Sequence, residues 1–193
     1  MDQQLRQLAV LTARGAIEAS VMARPIERIT AVSPAPDQFG GAFVTIHNGS
    51  RLRGCMGTFS PQKDLLHTIQ EVAQNSARDP RFVNDPISVS ELDRIDVDVS
   101  VLSKLMRTTN PLSLRVGVHG IFIRREKKNG CFLPQVAAEQ RWGASEFLSR
   151  CCQMKAGLPP DSWKDPGTEV FLFTAKVLKE DRSGEPRSAA NSG

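Results

Sequence analysis

Tyrosine is absent from this sequence, tryptophan occurs twice, and aromatic residues make up only 6% of the chain. Aromatic and basic residues do not alternate along it, so it lacks the linear signature of a single-strand nucleic-acid binder and argues against a nucleic-acid partner. No apolar run approaches the roughly 20 residues that span a bilayer. Met1 to Arg6 carry neither the basic nor the apolar region of a signal peptide. No membrane partner is expected, and the expected compartment is the cytoplasm. The four cysteines, Cys55, Cys131, Cys151 and Cys152, show no framework spacing and no Cys-x-x-Cys pair, so they are expected to remain thiols. His47, His67 and His119 lack metal-ligand spacing. There is no phosphate loop, dinucleotide fingerprint or Gly-x-Ser-x-Gly elbow. Neither a metal nor a cofactor is expected.

What is present is an ordinary globular composition. The 193 residues are 24% charged and 40% hydrophobic, with a net charge of +4, enough for one compact domain or two small lobes. Residues 3–23 read as a helix ended by Pro25. Ala42 to Ile46 reads as a strand, and Asn48-Gly49 as the turn of a hairpin whose second strand is Arg51 to Phe59. Ser60-Pro61 looks like a helix start. Leu65, Ile69, Val72, Ala73 and Ser76 then form one helical face that stops near Arg78, before Pro80. Ile95, Val97, Val99 and Val101 alternate with Asp96, Asp98 and Ser100 as a half-buried strand does. Leu114–Val118 and Gly120–Arg124 read as short strands, and Lys128-Asn129-Gly130 as a hairpin turn. A helix is expected from about Ala144 to Ala156, with Gly157 as its stop, and a last strand from Val170 to Leu178. Residues 181–193 read as a disordered tail. Hairpins joined to helices without regular alternation predict an α+β fold of mainly antiparallel sheet.

The chemistry concentrates in Leu52-Arg53-Gly54-Cys55-Met56-Gly57-Thr58. Strand period two places Arg53 and Cys55 on one presented face, and Leu52 and Met56 toward the core. A guanidinium beside a thiol favours the thiolate, the nucleophilic form. Gly54 and Gly57 remove bulk, so that a ligand or a second backbone can approach. Equally, Cys55 can be a small buried hydrophobe and the glycines can mark a bulge. Asp79-Pro80-Arg81-Phe82 follows the helix, where Arg81 can hold a carboxylate or phosphate and Asp79 can orient it; an Asp–Arg pair that stitches a loop to a sheet has the same sequence. Asp98 lies on a polar strand face, which is either a site or simply wetted. His119 stands in a turn and Gln135 on a rigid bend after Pro134, both placed to reach a ligand.

These segments, in this order, resemble the AMMECR domain family, known in bacteria and archaea as AmmeMemoRadiSam system protein A. The resemblance rests on Phe43-Val44-Thr45-Ile46, Leu52 to Gly57, Asp79-Pro80-Arg81-Phe82, Val97 to Leu102, Val118-His119-Gly120-Ile121, Phe132 to Val136, Phe147-Leu148, Lys155 to Leu158 with Trp163, and the stretch up to Glu180. The family commonly has isoleucine at Met56, glutamate at Asp98 and a proline-rich turn at Asn84-Asp85; none of these changes removes a candidate. The resemblance implies a two-lobed α+β fold, a single domain over residues 1–180 with the middle of the chain as the smaller lobe. It also implies work alongside a Memo-type protein and a radical S-adenosylmethionine enzyme. Its Arg-Gly-Cys motif maps the functional site onto Arg53, Gly54 and Cys55. With a small anionic ligand in view, the candidate set is Cys55 and Arg53 as catalytic, and Gly54, Gly57, Asp79, Arg81, Asp98, His119 and Gln135 as substrate-binding. The alternative is a non-catalytic adaptor using the same cleft.

Overall fold

The computed structural model describes residues 1–180; the tail expected at 181–193 lies outside the described residues. In chain order the elements are α1 (Gln3–Val21), β1 (Gly41–Asn48), β2 (Arg51–Thr58), α2 (Leu65–Ala77), β3 (Ile95–Leu102), β4 (Met106–Thr108), β5 (Gly120–Arg125), β6 (Lys128–Phe132), α3 (Pro134–Glu139), α4 (Ala144–Cys151), β7 (Glu169–Phe173) and β8 (Ala175–Lys179). The strands form two antiparallel four-stranded sheets, ordered β2-β1-β3-β8 and β4-β7-β5-β6. The chain is therefore α+β and mostly antiparallel, as its sequence predicts. No helix among the described residues is long and apolar enough to cross a membrane.

The first lobe follows from periodicity. Ile95, Val97 and Val99 are fully buried while Asp96 is exposed. They pack with Val44 and Ile46 of β1 against Leu65, Ile69, Val72 and Ala73 of α2 and the alanine-rich face of α1. One side of this sheet is thus covered by two helices. In the second lobe, Ile121, Ile123, Val170 and Leu172 face Phe147, Leu148 and Cys151 of α4. A third cluster, Leu102, Leu133 and Phe173 with Phe43, Phe59 and Phe122, joins the lobes.

Four local expectations are corrected. Helix α2 starts after Asp64, not at Ser60-Pro61: the Asp64 carboxylate accepts the His67 N–H and the Ser33 hydroxyl, a stronger cap than a lone serine. Residues 114–118 are turns rather than a strand, because the N–H groups of Val118 and His119 both return to Arg115 O. The β5–β6 turn lies at Glu126-Lys127, with Glu126 left-handed at φ 53°. Gly130 instead serves inside β6, where a Cβ would lie 2.4 Å from Ala156 N. Finally, 170–178 is not one strand. It breaks at Thr174 and passes from the second sheet into the first, pinned by the Ser103 N–H to Thr174 O bond. The helix from Ala144 continues as a π turn at Cys152–Ala156 and stops, as expected, at left-handed Gly157.

Candidate functional site

The β1–β2 hairpin turns at Asn48-Gly49, with Gly49 at φ 58°. Starting from that turn, Asn48 pairs with Arg51 and His47 with Leu52, but then the register shifts: Ile46 pairs with Gly54 and Thr45 with Cys55. Arg53 is the extra residue of a β-bulge. The bulge breaks the expected alternation. Leu52 falls opposite His47 and joins no hydrophobic cluster, while Met56 stays opposite core residue Val44.

Arg53 is consequently not presented beside Cys55 but buried, at 1% exposure. Its guanidinium donates to both Glu91 oxygens (2.9 and 3.0 Å), to Asp85 Oδ2 (2.9 Å) and to Pro86 O (3.0 Å). Its hydrogen bonds to Glu91 hold its proton more firmly than in a free arginine. Gly54 and Gly57 also serve the chain itself. A Cβ on Gly54 would meet Ser76 O at 2.1 Å, and one on Gly57 would meet the Phe43 ring at 2.2 Å. The close approach expected at these glycines is real, and it is made by the chain's own backbone and an aromatic ring.

Asp79 and Arg81 meet Cys55 directly. Asp79 is 3% exposed. Its carboxylate accepts the Cys55 N–H (3.0 Å), the Arg81 N–H (3.0 Å) and the Arg81 guanidinium. Arg81 also donates Nη2 to Cys55 O (3.0 Å), with half of its side chain exposed. Burial pushes the Asp79 carboxyl up, but the bonds from Arg81 and Cys55 N–H outweigh it and hold the group at about 2. The guanidinium groups of Arg53 and Arg81 both lie over the Phe82 ring, at 6.0 and 5.7 Å from its centroid.

The side of the first sheet away from the helices carries the thiol. Cys55, Thr45, Asp98 and Lys179 are successive cross-strand partners, so they form one polar row over four strands. Cys55 Sγ lies 3.4 Å from Thr45 Oγ1, and Cys55, Thr45 and Asp98 are all half-buried. Thr45 is the residue that reading along the sequence missed, since a regular hairpin from Asn48-Gly49 would set Thr45 against Gly54. From the second lobe, Cys131 of β6 approaches: burial raises its thiol to about 11, opposed by Lys155 and added to by Cys55. Burial likewise raises Cys151 and Cys152. His119 and Gln135 are half-buried in the second lobe. Nδ1 of His119 accepts the Arg115 N–H, and no hydrogen bond among the described residues ties either to Cys55. No group of three or more His, Cys, Asp or Glu among the described residues is placed to hold a metal ion.

The carboxylates give the site an acid limit. Glu91 is lowered from 4.5 to about 2, first by the Arg53 hydrogen bond, as Asp79 is lowered from 3.8. Both groups are depressed in the folded state, so their stabilisation is complete above about 4.5 and is lost as the pH falls through about 2. Each contributes on the order of 2–3 kcal/mol at neutral pH. Chemical denaturation from pH 5 to 2 should show this slope, and Asp79→Asn should flatten it. An unchanged slope in that variant would remove Asp79 as the responsible group.

The chain is similar to uncharacterised archaeal proteins. It is 42% identical over 182 residues to one from Methanothermobacter thermautotrophicus, covering 89% of this chain and 92% of the relative. A protein of Nanoarchaeum equitans is 42% identical over 149 residues, covering 73% and 81%. The crystal structure of the uncharacterised protein PH0010 from Pyrococcus horikoshii superposes with a TM-score of 0.84 at 34% identity, covering 94% of each chain. The sequence model of the AMMECR1 family matches residues 10–178. On this match, over nearly all of the described fold, the chain belongs to the AMMECR1 family.

Proposed function

We propose that the cleft beside Cys55 is the working site, and that its thiol handles a small anionic substrate in the cytoplasm, in concert with a Memo-type protein and a radical S-adenosylmethionine enzyme. The observation that most supports this reading is the half-buried Cys55 thiol, 3.4 Å from Thr45 Oγ1, with Arg81 anchored on the same backbone unit. Arg81 is the anion anchor, since Asp79 fixes it through Nε and Nη2 while half of its side chain meets solvent. Asp98 flanks Thr45 on the far side. Arg53, with Gly54 and Gly57, acts one step back by holding β2 in shape. His119 and Gln135 are proposed as ligand contacts from the second lobe.

Iodoacetamide labelling over a pH series tests the thiol. Cys55 should be alkylated first, because burial raises Cys131, Cys151 and Cys152. A Cys55 labelling midpoint no lower than a free thiol's, about 8.5, removes it as nucleophile. One observation favours the alternative of a non-catalytic binding module: the motif's arginine is already saturated by the chain's own acceptors. In that case Cys55→Ser leaves cellular function intact and Arg81→Ala abolishes it.

A further inference from the structure

The thiols of this chain are not equivalent. Cys151 and Cys152 are buried in the core of the second lobe, whereas Cys55 and Cys131 are half-buried. These two stand on sheet faces turned toward each other. On the first sheet, the row of Cys55 and Thr45 adjoins the row of Gly57 and Phe43 on the same face. On the second sheet, Cys131 stands beside its cross-strand partner Phe122. The Phe59 ring joins the two faces, with its centroid 5.2 Å from that of Phe43 and 5.0 Å from that of Phe122. Both thiols therefore flank one aromatic contact between the lobes. The two sulfurs also sense each other: burial chiefly raises the Cys131 thiol and the Lys155 ammonium opposes that, but a thiolate at Cys55 adds to it. Cys151 interacts with Cys131 as well, yet it packs with Ile121 and Ile123 on the α4 side, so the backbone of the second sheet separates the two.

We propose that Cys55 and Cys131 form a reversible disulfide across the cleft between the lobes, made when hydrogen peroxide oxidises Cys55. The Cys55 thiolate attacks one peroxide oxygen, the O–O bond breaks, and the departing hydroxide takes up the proton that the thiol gave and leaves as water. Cys55 is then a sulfenic acid. The Cys131 sulfur attacks the sulfenic sulfur, the S–S bond forms as the S–O bond breaks, and the hydroxide leaves as water with the Cys131 proton. Two thiols and one peroxide thus become one disulfide and two waters. Lys155 assists the second step, because its charge favours the Cys131 thiolate. A disulfide holds its Cα atoms within about 7 Å, so the bridge ties β2 to β6 and takes the Cys55 sulfur out of use. That last consequence rests on the proposed function of Cys55; the bridge itself does not.

Treatment of the reduced full chain with a small excess of hydrogen peroxide tests it. Two of the four thiols should be lost and should return with dithiothreitol. Mass spectrometry of a non-reduced tryptic digest should show the Cys55 and Cys131 peptides joined. In Cys131→Ser the bridge cannot form, so dimedone, which traps sulfenic acids, should label Cys55; in the native chain that label should be lost. The proposal is overturned if dimedone labels Cys55 as fully in the native chain as in Cys131→Ser, or if peroxide removes no thiol. It is overturned equally if the bridge found joins Cys131 to Cys151 or links two chains. The peptide map is read on the native chain, so a folding defect in Cys131→Ser does not obscure the outcome. A Cys55–Cys131 bridge in a chain whose Cys55→Ser variant keeps its cellular function upholds this proposal while removing the catalytic reading of Cys55.

Discussion

Arg53→Met is expected to destabilise the fold by about 3–5 kcal/mol, the range for removing one partner from a buried, hydrogen-bonded ion pair. The native guanidinium is 1% exposed and donates to Glu91, Asp85 and Pro86 O. Without it, Glu91, whose side chain is only 16% exposed, is left as a carboxylate with little water to replace its partner. For a chain of this length the loss corresponds to a fall in Tm of roughly 10 °C or more. Arg53→Lys should recover only part of it, because an ammonium group cannot span both Glu91 oxygens and Asp85. Removing both charges, as Arg53→Met with Glu91→Leu, should recover most of the stability by relieving the orphaned carboxylate. Thermal unfolding followed by circular dichroism measures all of these. A Tm for Arg53→Met equal to that of the native chain would show that the pair does not support the fold. The result also bears on function, since lost activity in an Arg53 variant counts toward catalysis only once its stability has been restored.

Gly54→Ala should be nearly as damaging, at about 3 kcal/mol, the upper range for overpacking. The added methyl would stand 2.1 Å from Ser76 O, a backbone atom in the last turn of α2. No rotamer relieves a clash between Cβ and backbone, so α2 must lift from β2. That would strain the bonds by which buried Ser76 joins the two: its hydroxyl accepts the Met56 N–H at 3.0 Å and lies 2.9 Å from Val44 O. Gly15→Ala is the internal control. Gly15 lies within α1, a Cβ there meets nothing within 4 Å, and the exchange should stabilise by roughly 0.5–1 kcal/mol. Denaturant midpoints that shift the same way in both variants would refute the steric account.

Much of the fold was legible because local periodicity decides it. The alternation over Ile95, Val97 and Val99 and the helical face from Leu65 to Ser76 bury the residues their spacing selects, and the alternation gives way only at the end of β3, where Ser100 is buried and Val101 half-buried. The Asn48-Gly49 turn and the Gly157 stop follow from backbone conformations those residues favour. The Arg-Gly-Cys and Asp-Pro-Arg-Phe motifs were visible as segments, and Asp79 with Arg81 does meet Cys55. The errors fell where local signals compete. Ser60-Pro61 reads as a cap, but the Asp64 carboxylate takes that role, and Asn129-Gly130 reads as a turn until the backbone of Lys155-Ala156 occupies the space above Gly130.

The sequence by itself determined which faces are apolar, where the first hairpin turns, and which short segments carry chemistry, because each depends on neighbours only a few residues away. Tertiary structure alone decided what those segments present. The bulge at Arg53 exists because its guanidinium finds Glu91, 38 residues further on, and that one-residue shift sets Cys55 against Thr45 instead of leaving it opposite Val44. In the same way, Arg107 and Phe171, far apart in the chain, become neighbours only as cross-strand partners, beside Phe122 and Arg124. Period two selects a side of a strand, but register between distant strands is set by which buried charges and rings must find partners.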